Sequence, residues 1–312
     1  MSRIHEALKK AEQGRGTGPA PETATPFVAP EAIQNVNPAA TQAPFPTQGM
    51  PQEILIAESP AAPITLETLM ARCVRHAWNP DSKNLFFANS HNHVHGAEEF
   101  RTLRSRLYQI RDRQPLRTVL IASVLPGEGK TFTTANLAQA IVRQHGRRAL
   151  IIDADLRRSQ LHTRLGAPST PGLTDYLSGE ADEFSIIQRG PMDNLFFIPG
   201  GKSASNPLEL LSNGRMKILL ERLAPIFDWV LMDSPPVVAV SDAGLLADLC
   251  DGAVLVVKAA STPFDVALKA REELRKKGLL GVVLNHVDPG DDYLSQYYSY
   301  YHKHPNGTQS RG

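Results

Sequence analysis

Ser123-Val124-Leu125-Pro126-Gly127-Glu128-Gly129-Lys130-Thr131 is the stretch that decides the fold. An apolar run, residues 119–122, leads into it, and a helical pattern over residues 132–144 leads out. A strand, a glycine-bearing turn and a helix together aim several backbone N–H groups at one spot. With the positive end of the helix, those donors make a site for a polyphosphate. Lys130 supplies a point charge for the outer phosphates, and the Thr131 hydroxyl can hold a magnesium ion. Gly127 and Gly129 let the backbone turn with no side chain in the way. The general phosphate-loop pattern has a further glycine five residues before Gly129, where this chain has Val124. The assignment therefore leans on the flanking strand and helix, and on acidic strand ends further along the chain.

Beyond the loop, apolar strands alternate with helices. Residues 148–153 read as a strand ending in Ile152-Asp153-Ala154-Asp155-Leu156-Arg157, and residues 194–199 as another. Residues 207–223 carry helical patterns broken near Asn213-Gly214. Residues 228–233 form a third strand, followed by Ser234-Pro235-Pro236 and a helix over 242–249. Two more strands, 253–257 and 281–284, flank a helix over 264–277. This order predicts an α/β, P-loop NTPase fold: a mostly parallel sheet with helices on both faces. Such sheets bind ligands at the carboxyl ends of their strands, where Asp153, Asp155 and Asp233 fall. Clustered carboxylates repel one another unless a cation sits among them. Beside a phosphate loop that cation is magnesium, and the polyphosphate is a nucleotide. The competing reading of any single aspartate is a helix N-cap.

With 312 residues and 42% hydrophobic composition, the chain can build one large core with appendages. A formal net charge of +1 gives no global pull toward nucleic acid. Cys73 and Cys250 offer no disulfide framework and suit a reducing cytoplasm. No signal peptide, no apolar run of about 18 residues and no glycine at position 2 point to the membrane, so any membrane association is expected to come through a partner. Residues 1–13 read as a short amphipathic helix, with Ile4, Ala7, Leu8 and Ala11 on one face. Residues 14–63 hold ten of the chain's 24 prolines and read as a disordered linker. A short helix is expected over 66–74 and a strand over 83–88. His91, His93 and His95 alternate along an extended segment, which suits a polar loop better than a metal site.

Residues 64–112 read as an N-terminal helical segment and 113–290 as the phosphate-loop domain. Within the former, Phe100, Leu103 and Leu107 make an apolar stripe flanked by Glu98, Arg101 and Arg104. Glu98 and Arg101 are spaced to pair within the helix, or the charged face can meet a neighbouring copy. The tail, 291–312, carries Tyr293, Tyr297, Tyr298, Tyr300 and Tyr301, five of the chain's seven tyrosines within nine residues. That density fits no packing period, so the tail is expected to be mobile.

The loop Pro126-Gly127-Glu128-Gly129-Lys130-Thr131, the Ile152-Asp153-Ala154-Asp155-Leu156-Arg157 stretch and Asp228-Trp229-Val230-Leu231-Met232-Asp233-Ser234-Pro235-Pro236 together resemble the bacterial tyrosine kinases. These are autokinases of exopolysaccharide and capsule synthesis, and the likeness covers about residues 83–301. The Glu98/Arg101/Arg104 helix is similar to that family's ring-forming motif, and the tail to its tyrosine cluster. The resemblance implies ATP held by Pro126, Gly127, Glu128, Gly129, Lys130, Thr131 and Phe132, with Asn285 reading the base. It implies magnesium organised by Thr131 and Asp233, with Asp155 behind them, and Lys130, Asp153 and Asp155 in catalysis, Asp153 as base toward the tyrosine hydroxyl. It also implies phosphorylation of the tail in trans within a homo-oligomer, such as a ring. A membrane-embedded polysaccharide co-polymerase would act as activator, a protein-tyrosine phosphatase would oppose it, and the kinase would sit at the inner face of the cytoplasmic membrane.

The alternative reading is a partitioning or positioning ATPase of the ParA and MinD kind. Such switches carry a second lysine near the start of the loop, absent from Ser123–Gly127, and no tyrosine-dense tail. A catalytically silent scaffold is disfavoured by the presence of Lys130, Thr131 and all three aspartates.

Overall fold

The computed structural model describes residues 63–80 and 96–287. The described residues all belong to the unit Ser59–Gly312. In chain order the elements begin with α1 (Leu66–Arg72), β1 (Val74–Arg75), α2 (Ala97–Arg111), β2 (Thr118–Ser123), α3 (Lys130–Val142) and β3 (Ala149–Asp153). Then come α4 (Leu161–Leu165), α5 (Leu173–Leu177), α6 (Glu183–Ile186), β4 (Gln188–Arg189), β5 (Leu195–Ile198), α7 (Pro207–Ser212) and α8 (Arg215–Leu223). The last are β6 (Trp229–Asp233), α9 (Asp242–Asp248), β7 (Gly252–Lys258), α10 (Phe264–Arg275) and β8 (Leu279–Asn285). The expected terminal helix, the linker as far as residue 62, the strand over 83–88, the three histidines and the tyrosine tail lie outside the described residues.

Eight strands form one sheet in the order β1-β4-β5-β3-β6-β2-β7-β8. Every pairing is parallel except β4 with β5. The central strands β2, β3, β5 and β6 are buried along their whole lengths. Alternate residues feed two cores, as a pleated sheet covered on both faces requires. Leu120, Leu150, Ile152, Phe196, Val230 and Met232 face one core. Val119, Ile121, Ile151, Phe197, Trp229 and Leu231 face the other.

α3 fills the second core with eleven of its thirteen residues buried, so it has no polar face. Its buried Gln139 side chain donates to the Ala135 carbonyl one turn back, which keeps a polar group satisfied in an apolar setting. α2 lies on α3 through Phe100 and Leu107, with Phe100 edge-on to Phe132 at 5.9 Å. α8 presents Met216, Leu219, Leu220 and Leu223 to the first core, spaced at one helical stripe. The expected break before it is real: Asn213 donates to the Leu177 carbonyl, and Gly214 has φ +84°. That left-handed turn admits glycine readily and ends α7.

Two aspartates staple the amino ends of the strands. Asp251 accepts from the Arg117 and Thr118 N–H groups, both at 2.8 Å. Asp228 accepts from Arg148 N–H and from the Arg147 guanidinium. Burial alone would raise the Asp228 carboxyl, and these donors outweigh it and hold the group below its ordinary value. Three short helices, α4 to α6, and the antiparallel β4 were not expected from sequence. At five residues or fewer they are too short to show a period.

Candidate active site

The carboxyl ends of β2, β3 and β6 lie side by side, and the register pairs Asp153 directly with Asp233. Between β2 and α3 the phosphate loop turns through Gly127 at φ +83° and Gly129 at φ +99°. Pro126 and Gly127 form its exposed rim. A Cβ on Gly129 would come within 2.0 Å of the Asn285 amide nitrogen, so a side chain there would displace Asn285 as well as strain the backbone.

Lys130, the first residue of α3, turns its ammonium toward the carboxylates. Nζ lies 2.9 Å from Asp155 Oδ2 and 4.0 Å from Asp233 Oδ2. Two buried carboxylates are the nearest negative charges, so the cation expected among the aspartates is here a side chain. Burial alone would lower the Lys130 pKa, but Asp233 and Asp155 outweigh it and raise it. Burial pushes Asp233 up to about 7, with Lys130 pulling it back and Asp153 pushing it further.

The Thr131 hydroxyl donates to Asp233 Oδ2 at 2.7 Å, while Asp233 Oδ1 is buried with no hydrogen-bond partner. An orphaned carboxylate oxygen beside a threonine hydroxyl, with an ammonium already standing in for a cation, is a donor set that fits magnesium. Among the described residues no three His, Cys, Asp or Glu side chains converge to hold a metal unaided. That suits an ion that keeps waters and takes phosphate oxygens as ligands.

Asp153 is fully buried and both of its oxygens are engaged. Oδ2 accepts from Ser159 Oγ at 2.7 Å and from the Gln160 and Leu161 N–H groups at the start of α4. Oδ1 faces the Asp155 N–H at 3.3 Å. Burial raises its pKa, opposed by the Ser159 hydroxyl and the Leu161 N–H. Asp155 also caps a turn, accepting from Arg158 N–H at 3.0 Å. Both aspartates thus hold backbone N–H groups, Asp153 at the start of α4 and Asp155 in the turn before it.

Three residues expected at the nucleotide have other side-chain contacts here. The Glu128 carboxylate turns inward, accepting from Leu125 N–H at 2.9 Å and from the Thr262 hydroxyl. It braces the loop, and only its backbone is left to face phosphates. Asn285, the last residue of β8, donates its amide to the Glu128 carbonyl at 2.8 Å. The Phe132 ring packs on Phe100 of α2. Sequence reasoning missed Thr262, Ser159 and the fork between Arg157 and the buried Asp242, at 2.7 and 3.0 Å. Thr262, Ser159 and Arg157 come from loops with no local pattern to announce them, and Asp242 opens α9.

On α2, Glu98 and Arg101 pair within the helix at 2.7 Å. Arg104 donates to the Ala140 carbonyl near the end of α3 at 2.6 Å, so it ties the two helices together.

Residues 119–307 match the family described as the CobQ/CobB/MinD/ParA nucleotide binding domain. Tyrosine-protein kinase YwqD of Bacillus subtilis (strain 168) is 38% identical over 192 residues, spanning 61% of this chain and 80% of that protein. Tyrosine-protein kinase CpsD of Streptococcus agalactiae is 37% identical over 187 residues, spanning 59% and 81%. Among solved structures, the kinase domain of Escherichia coli tyrosine kinase ETK superposes with a TM-score of 0.62 at 28% identity, covering 66% of this chain and 82% of that one. The BceF tyrosine kinase domain gives 0.59 at 33%, covering 65% and 83%.

Fold and phosphate loop thus define a P-loop nucleotide-binding protein of the CobQ/CobB/MinD/ParA type. Within that class the chain belongs to the bacterial tyrosine kinases, and its enzyme class is protein-tyrosine kinase. Among the described residues no helix is long and apolar enough to cross a membrane.

Proposed function

We propose that this kinase transfers the γ-phosphoryl group of ATP to Tyr293, Tyr297, Tyr298, Tyr300 and Tyr301 in the tail of a neighbouring copy, and that this controls exopolysaccharide or capsule polymerisation and export. The observation that carries the reading is the convergence of Lys130, Thr131, Asp155 and Asp233 beside a glycine-turned phosphate loop, with Asp153 next to them on β3. Backbone N–H groups of residues 127–132 cradle the phosphates, and Lys130 leaves the carboxylates to neutralise charge on the transferring group. Thr131 and Asp233, with Asp155 behind, would hold a magnesium ion, which would supply further charge neutralisation at the phosphates. The tyrosine oxygen bonds to the γ-phosphorus as the bond to the β-bridging oxygen breaks and ADP leaves. A phenol is protonated at neutral pH, and Asp153 takes its proton once Ser159 yields its place.

Glu98, Arg101 and Arg104 form the contact that assembles the homo-oligomer. A membrane-embedded co-polymerase recruits and activates the kinase at the inner face of the cytoplasmic membrane, and a tyrosine phosphatase resets it. Purified protein with ATP and magnesium, supplied with the activator's cytoplasmic segment, tests the reading by phosphotyrosine mapping. Lys130→Met is expected to lower autophosphorylation by at least about a thousandfold while nucleotide-free protein stays folded. Near-normal phosphotyrosine in folded Lys130→Met protein would sink the assignment. Steady ATP hydrolysis without phosphotyrosine would favour the switch ATPase.

A further inference from the structure

Along the carboxyl edge of the sheet the site is laid out in strand order. Asn285 ends β8, the phosphate loop follows β2, Asp233 ends β6 and Asp153 ends β3. A nucleotide phosphate-bound at β2 that points its γ-phosphoryl group toward the carboxylates leaves the acceptor to come from beyond β3. The next strand in that direction is β5, and a cleft of about 390 Å³ opens beyond its carboxyl end. The loop that forms one wall of the cleft also touches the site. A Cβ on Gly200 would lie 2.7 Å from the Ser159 side chain and 3.7 Å from the Asp153 carbonyl, and the next residue, Gly201, lies against Thr174 and Asp175.

The cleft is polar. Thr174, on α5, is 4% exposed, and its hydroxyl has no hydrogen-bond partner. Lys202 reaches across to Asp175 at 3.3 Å and to Glu180 at 2.9 Å. Glu209, exposed on α7, adds a third carboxylate. One lysine facing three carboxylates leaves the cleft negative, and an unpartnered buried hydroxyl in its wall is costly unless a ligand meets it.

We propose that this cleft is the subsite for the peptide that follows the acceptor tyrosine, taking the cationic stretch His302-Lys303-His304 of a second copy of this chain. The inference rests on the proposed transfer in trans to the tail. Glu209 pairs with Lys303, and the Thr174 hydroxyl bonds to the peptide backbone. Lys303 stands two residues after Tyr301 and six after Tyr297, about 7 and 20 Å of extended chain, so one anchor serves tyrosines at several reaches. Each phosphate adds roughly −1.5 to −2 charge, so a tail modified several times is repelled by the same carboxylates and leaves.

The test uses two full-length chains. The kinase carries Tyr→Phe at all five tail tyrosines, and the acceptor carries Lys130→Met with its tail intact. Initial rates of acceptor phosphorylation are measured against acceptor concentration. Glu209→Lys in the kinase is expected to raise the KM for acceptor about tenfold while kcat and the KM for ATP hold. Lys303→Glu in the acceptor should do the same, and combining the two variants should recover most of the loss. Unchanged KM in both single variants, or no recovery in the pair, overturns the subsite. Absence of label on the acceptor with the unaltered cleft instead overturns transfer in trans itself.

Discussion

At Asp233 a single carboxylate carries the conflict between stability and function. Its pKa is moved from 3.8 to about 7, chiefly by burial. Between those values the folded protein holds a proton that the unfolded chain has released. Stability therefore falls as pH rises through this window and stays lower above it. Asp233→Asn removes the ionisation while preserving shape. The melting temperature of nucleotide-free Asp233→Asn is expected to exceed that of the unaltered protein by a few degrees at pH 8, with the gap closing toward pH 4. Kinase activity should be lost, since the amide is a poor partner for magnesium. A lower melting temperature for the variant at pH 8 would show that the attraction to Lys130 outweighs the cost of burial. Asp228 and Asp251 stand in contrast. Those aspartates close the amino ends of strands with backbone N–H partners. Asp233 ends its strand with one oxygen unmet.

At the level of elements, α2 packs on α3 and carries the charged face proposed to meet a neighbouring copy. Arg104 is engaged by the Ala140 carbonyl near the end of α3, while Glu98 and Arg101 form an exposed pair within the helix. Arg104→Ala alone should cost about 1–2 kcal/mol, because a charged donor to a carbonyl is removed at a helix contact. Glu98→Ala and Arg101→Ala should each stay within about 0.5 kcal/mol. Denaturant melts of the three single variants measure this directly. Light scattering on the same proteins, unphosphorylated and with activator, then separates assembly from folding. Loss of the oligomer in Glu98→Ala or Arg101→Ala with unchanged stability assigns the charged face to a neighbour. Equal mass in all three leaves it an ordinary helix surface. Elements also differ in how far the sequence discloses them. Strands of four to seven residues with both faces buried announce themselves as apolar runs, and β2, β3, β5 and β6 stand where those runs predict. The Asn213-Gly214 break is legible because glycine supplies its left-handed turn. Helices of four or five residues carry no readable period. In the site, the chemistry of Lys130, Thr131 and the three aspartates is visible in residue type and spacing. Their braces are not, because Thr262 meets Glu128 across 134 residues and Ser159 reaches Asp153 from a loop.

At the scale of the whole molecule, the question is whether the tail is the substrate. Changing Tyr293, Tyr297, Tyr298, Tyr300 and Tyr301 together to Phe removes five hydroxyls and keeps the rings. Nucleotide affinity should stay within about twofold, since none of the five contributes to the phosphate loop or the carboxylates. Phosphotyrosine should nearly vanish, because the two remaining tyrosines are built into the fold. The Tyr108 hydroxyl is buried, and its ring meets Trp229 edge-on at 5.3 Å. Tyr176 is 5% exposed, with the Arg215 guanidinium over its ring at 4.7 Å. Neither can present a hydroxyl to a second active site without local unfolding. Radiolabel from ATP, followed by peptide mapping, decides the matter. Label confined to the tail in the unaltered protein, and lost in the five-Phe chain, makes the tail the acceptor. Undiminished phosphotyrosine in the five-Phe chain means that Tyr108 or Tyr176 is reached after all. The packing of α2 or α5 would then have to open during the catalytic cycle.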